Sequence, residues 1–143
     1  WQDNEREVQV DAGHLAGLIT ARDDRLAGYQ EALDTLAATL VQEVNRVHAG
    51  GRALDGSTGH VYFDPAGTRA SDIRLDAGID TSLDCIAASA TGAAGDGNTA
   101  AAIAALRSAA VLSGGQLTLE GYYRGLVGQI GLDEVQAEQS LGH

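Results

Sequence analysis

Four histidines (His14, His48, His60 and His143) and one cysteine (Cys85) are the side chains in this chain best suited to ligating a transition metal or attacking a carbonyl. Their spacing supports neither chemistry. No pair of histidines falls in an HExxH or comparable ligand spacing, and Cys85 has no second cysteine to complete a thiolate set. A cysteine nucleophile needs a partnered base, and the linear sequence assigns none. Followed by Ile-Ala-Ala-Ser, Cys85 reads as a small buried apolar residue. His48 falls on the last turn of a long helical pattern, where the carbonyl end of the helix favours a cation. Asp96-Gly97-Asn98, with Asp80 and Asp84 upstream, raises the question of calcium. An EF-hand loop starting at Asp96 needs a glutamate at its twelfth position, which here is Arg107. A turn followed by a helix cap is the role expected of Asp96 and Asn98. Gly92, Gly95 and Gly97 lack the Gly-Lys-Ser/Thr that completes a phosphate loop. The sequence therefore predicts no catalytic, cofactor-binding or metal-ligating residues, and no enzyme.

The elements around these residues are mostly helical. Over 13–51, Leu15, Ile19, Leu26, Tyr29, Leu33, Leu36, Leu40, Val44 and Val47 recur in steps of three, four or seven. That is the stripe of an amphipathic helix. The pattern predicts one helix from His14 to His48 or Ala49, capped by Asp11 and stopped by Gly50-Gly51, one of them left-handed. Such a rod is on the order of 50 Å long and implies an elongated molecule. A short strand is expected at 5–10. Arg22-Asp23-Asp24-Arg25 reads as a solvated charge cluster, its exposed pairs worth at most about 1 kcal/mol each.

Residues 52–84 change character. The turn dipeptides Asp55-Gly56 and Thr58-Gly59, the β-prone run His60–Phe63 and the alternation Asp72–Asp76 predict a small antiparallel β-element there. A loop over 90–98 should lead into a second helix through Leu112, with Asn98 or Thr99 as cap and Ile103, Leu106 and Ala110 buried. Gly114-Gly115 should end it. A third helix is expected over 118–137, with Thr118 as N-cap, Glu120 favouring its dipole and a stripe of Leu119, Tyr122, Tyr123, Leu126, Val127 and Ile130. Leu33, Leu36 and Leu40 should meet Leu126, Val127 and Ile130. Beyond Ile130 the stripe fades, as in a helix that continues toward something outside this segment. The fold class is thus mainly α: an elongated bundle of one long and two shorter helices with a small antiparallel β-element, in a single domain over 1–143.

Composition excludes several functions. A net charge of −11 with nine scattered arginines opposes nucleic acid and anionic membrane as partners. No run of eighteen apolar residues crosses a bilayer. Only six residues are aromatic, which leaves little to line a small-molecule pocket. The opening WQDNERE has neither initiator Met nor the basic and apolar regions of a signal peptide, so the chain reads as an excised segment.

Several stretches carry a resemblance. Gly13, Leu18-Ile19, Arg22-Asp23, Leu36-Ala37, Val44-Asn45 and His48 follow one another as they do in the flagellar hook-associated protein 1 (hook–filament junction protein) family. Val61-Tyr62-Phe63 is similar to the aromatic pair after the family's helix. Residues 86–107 resemble its Ala-Ser, Gly-Asp-Asn and Ala-rich helix, and 122–139 its Tyr-x-x-Leu-Val segment. The resemblance implies the middle, helix-rich domain of a flagellar axial protein, with the terminal polymerising helices absent and too little sequence between Phe63 and Ile86 for a large β-insertion. It also implies a structural role joining hook to filament, an extracellular location reached through the flagellar export system without a cleaved signal, and no cofactor. The implied partners are other copies in a ring and neighbouring hook and hook-associated axial proteins. This segment alone should be monomeric. The alternative is a helical protein-binding or chaperone-like module that captures a partner helix on the 119–137 stripe.

Overall fold

The computed structural model describes residue 17 and residues 21–141. The strand at 5–10, the Asp11 cap, His14, Leu15, Ile19 and His143 lie outside the described residues. A π-helical turn, Ala21–Arg25, runs directly into helix α1, Leu26–Ala49. Its 24 residues make a rod of about 36 Å. Its buried residues are Ala37, Val41, Val44, Asn45 and His48, a stripe that starts at the middle of the helix and runs to its C-terminal end. Gly50 and Gly51 end α1 as expected, but neither is left-handed: Gly50 has φ −77°, and Gly51 is not among the positive-φ glycines. Gly51 is needed for space. A Cβ there would stand 2.7 Å from the Thr99 side chain and 3.1 Å from the Ala87 methyl.

The β-element expected over 52–84 reduces to isolated antiparallel bridges, Arg52 with Thr58 and Phe63 with Leu75, with a further bridge from Arg52 to Ser89. Tight turns prevent longer ladders. Gly56 and Gly59 both have φ +84°, and Asp64 takes the Ala66 amide at 2.8 Å to fold the chain back at Pro65. The short helix α2, Ala77–Thr81, is capped by Asp76 and buries Ile79.

Helix α3, Asn98–Ala105, is shorter than its alanine run predicts. It tightens to a 3₁₀ turn at Leu106–Ser108 and gives way to β1, Ala110–Leu112, paired antiparallel with β2, Leu117–Thr118. Ser113, Gly114 and Gly115 all have positive φ, so the residues expected to stop a helix form a hairpin turn. Leu106 is buried and Ile103 half-buried, whereas Ala110 is exposed. The two-stranded sheet of the described residues therefore lies at 110–118.

Helix α4, Leu119–Leu141, begins where Thr118 predicts, its hydroxyl accepting the Gly121 amide at 2.9 Å. At 23 residues it nearly matches α1. It runs antiparallel to α1, since Arg25 meets Asp133 and Gln136 while Ala32 faces Tyr122, Leu126 and Gln129 across a shallow cleft. The expected leucine seam is only partly realised. Leu36 and Leu40 are half-buried, whereas Leu33, Val127 and Ile130 are exposed. Polar pairs hold this end: Arg25 is 2.6 Å from Asp133, and Tyr29 donates to the same carboxylate at 2.5 Å. Arg25 is thus an interhelical brace, where a solvated cluster was expected. The described residues are mainly helical, with a small antiparallel sheet.

Candidate functional site

The best-built polar constellation lies at the end of α1. Asn45 and His48 share its buried stripe, three residues apart and so on one helix face. The Asn45 amide clasps one backbone segment from both sides. Its oxygen accepts the Tyr62 and Phe63 amides at 2.9 and 2.8 Å, and its nitrogen donates to the Phe63 carbonyl at 2.8 Å. His48 is 1% exposed. Its Nδ1 donates to the His60 carbonyl at 2.7 Å, and its Nε2 accepts the Ala87 amide at 2.8 Å. A ring nitrogen that accepts a hydrogen bond carries no proton, so this imidazole is neutral. That corrects the expected helix-end cation. Tyr62 lies edge-on to the His48 ring at 5.4 Å, and Phe63 lies edge-on to Tyr62 at 5.0 Å. Val44-Asn45-x-x-His48 is therefore a polar clamp that fastens two loop segments to the long helix. Two amide-capable side chains on an otherwise apolar stripe were the signal for it.

Asp96 organises the 89–98 loop. Its carboxylate accepts from the Ser89 hydroxyl, the Ala90 amide and both the amide and hydroxyl of Thr91, while its other oxygen takes the Asn98 amide at the start of α3. These bonds, the Thr91 hydroxyl first, hold the carboxyl far below the usual aspartate range. The turn-and-cap role expected of Asp96 is what it performs. Asp80 and Asp84 are exposed and belong to other turns.

Asp55, His60 and Cys85 converge, although the sequence offered them as unrelated. Asp55 Oδ1 accepts both the amide and hydroxyl of Ser57, which together hold its carboxyl below the ordinary value. Ser57 Oγ stands 2.6 Å from His60 Nε2. One ligand atom from each of Asp55, His60 and Cys85 lies within 4.8 Å of the others.

On α4, Tyr123, Val127, Ile130, Leu132 and Val135 are 40–68% exposed, and Leu26 and Leu33 of α1 are also exposed. Spacings of four and three residues line up Tyr123, Val127 and Ile130 along one face of the helix. This row is a surface suited to contact with other protein. No described helix is long and apolar enough to cross a membrane.

Residues 1–63 match the family described as flagellar hook-associated protein FlgK helical domain. Flagellar hook-associated protein 1 of Bacillus subtilis (strain 168) is 32% identical over 135 residues, covering 86% of this chain and 27% of that protein. The chain is thus similar to the FlgK helical domain over its first 63 residues and to flagellar hook-associated protein 1 over most of its length. It spans about a quarter of the length of the curated relative it matches. No solved structure matches it. The family match ends at Phe63, one of the two residues whose amides Asn45 holds. The matched helical-domain segment thus contains Asn45, His48 and the 60–63 segment that they secure, while Ala87 lies beyond it.

Proposed function

We propose that this chain is a structural part of a hook-associated protein that joins the flagellar hook to the filament, without catalysis. The match to flagellar hook-associated protein 1 over most of the chain carries this reading. The architecture supports it: two long antiparallel helices, loops fastened to the first by Asn45 and His48, and an exposed apolar row on the second. In this reading residues 1–143 form one middle domain of an extracellular axial protein, delivered by the flagellar export system. Full-length copies self-associate in a ring between hook and neighbouring hook-associated proteins. The mechanism is surface complementarity.

Deleting the encoding gene from its bacterium tests the proposal. Cells should build hooks without filaments, lose swimming and release filament subunits into the medium, and the intact gene should restore filaments. Normal filaments in the deletion strain would overturn it. Normal filament attachment with loss of a single secreted client would point to the chaperone-like alternative.

A further inference from the structure

We propose that Asp55, His60 and Cys85 form a binding site for a borderline divalent transition ion, with Zn²⁺ the best-matched ion. The donor set carries the argument. A thiolate, an imidazole and a carboxylate are the three protein ligand types that zinc uses, and three such ligands leave a fourth tetrahedral position for water. Zinc sits about 2.0–2.3 Å from each ligand atom, so tetrahedral ligand atoms lie roughly 3.3–3.7 Å apart. The three atoms here already lie within 4.8 Å of one another, so side-chain rotation has little distance to close.

The backbone supplies the preorganisation. Leu54 and Asp55 both donate to the Asp84 carbonyl, at 3.0 and 3.5 Å, which seats the Asp55 turn beside Cys85. The Cys85 amide is held by Ser82 at 3.2 Å. The His60 carbonyl is gripped by buried His48, which fixes the third ligand from behind. Ser57 bridges Asp55 and His60 through its hydroxyl and is the group the ion displaces or joins. Cys85 and His60 are half-buried and Asp55 is exposed, so an ion can enter from solvent. On binding, Cys85 gives up its thiol proton to the buffer, a sulfur–metal bond forms, and no electron is transferred. Coordination by Asp55, His60 and Cys85 cross-links the 52–60 turn to the 83–85 turn. The site changes the sequence-based reading, in which Cys85 was apolar filler and no residue ligated metal.

The experiment titrates Zn²⁺, and separately Co²⁺, into the reduced 143-residue chain. One ion should bind per chain, with proton release, a raised melting temperature and a near-ultraviolet sulfur-to-cobalt charge-transfer band. Cys85→Ser should abolish that band, and His60→Ala or Asp55→Asn should weaken binding by at least about tenfold, since even outer-shell partners of metal ligands are worth 10–100-fold. Circular dichroism of each variant confirms that it is folded, and Cys85→Ser, nearly isosteric, keeps the test decisive if His60→Ala unfolds. No saturable binding by the parent chain would overturn the proposal. So would a single site whose affinity and cobalt spectrum are unchanged in Cys85→Ser.

Discussion

His48→Ala should be among the most damaging single substitutions in the described chain. The imidazole is 1% exposed and satisfies two backbone groups at once, the His60 carbonyl at 2.7 Å and the Ala87 amide at 2.8 Å. Truncation leaves both groups without partners in a region too tight for bulk water. A buried group stranded in this way costs about 1–3 kcal/mol, so two cost roughly 2–6 kcal/mol. Loss of the edge-on Tyr62 contact adds about 0.5–1.5 kcal/mol, and partial relaxation or an admitted water takes some of the total back. The expected net loss is about 3–5 kcal/mol, a large share of the ~5–15 kcal/mol that holds a domain of this kind together. Urea denaturation followed by circular dichroism measures it, with an unchanged slope confirming the same unfolding transition. Hydrogen exchange should show the Ala87 amide losing protection in the same variant. A loss below about 1 kcal/mol with Ala87 still protected would refute the clamp, because the loops would then be held by something else.

Asn45→Asp keeps acceptors for the Tyr62 and Phe63 amides but sets a carboxylate against the Phe63 carbonyl; it should cost about 1–3 kcal/mol by denaturation, and a neutral result would show that the donor half of the clasp is idle. Gly51→Ala should cost about 1–3 kcal/mol by overpacking, and Thr99→Ala in the same chain should recover part of it; strict additivity of the two changes would refute the proposed collision. Asp55, Asp64, Asp96 and Asp133 are all held below the ordinary aspartate value of 3.8, led respectively by the Ser57 hydroxyl, the Ala66 amide, the Thr91 hydroxyl and the Tyr29 hydroxyl. Their folded values lie below their unfolded ones, so their stabilisation is present above pH 3.8 and is lost as pH falls through the folded values. Tyr29 is raised above 10.0, first by its hydrogen bond to Asp133, so its contribution is present below pH 10 and is lost as pH rises through the folded value. Through these five groups, melting temperature should fall as pH drops below 3.8 and as it rises past 10, and a chain that gains stability on acidification below pH 3.8 would contradict the assignments. At a net charge of −11, with salt at ~0.15 M screening charges beyond about 8 Å, the isolated chain should sediment as a monomer at micromolar concentration; rings or tubes would locate the assembly information in this segment.

Helix α1 was legible because its apolar period and the Gly50-Gly51 stop agree, and α4 because Thr118 is a good N-cap immediately before a helical stripe. Asp96 was legible for a related reason: a short acidic side chain in a glycine-rich stretch finds its partners within a few residues. His48 was misread because its partners are backbone groups 12 and 39 residues away, which carry no sequence signature. The convergence of Asp55 and His60 with Cys85 was hidden by the same kind of distance. Alanine periodicity overextended α3, since residues 106–112 have to leave the helix so that the 113–115 turn can bring Leu117 back beside Leu112. The α1–α4 leucine seam was overread. Apolar periodicity names a face but not its partner, and here Asp133 holds the N-terminal end of α1 through Arg25 and Tyr29.

The proposed function is positional: it requires the protein that carries this segment to sit where hook meets filament. Gold-labelled antibody raised against the 143-residue chain, applied to intact flagella and viewed by electron microscopy, tests it directly. A junction protein should give label in one narrow band at the hook–filament boundary and none along the filament shaft. Label spread along the shaft, or confined to the cell interior with a bare boundary, would contradict it.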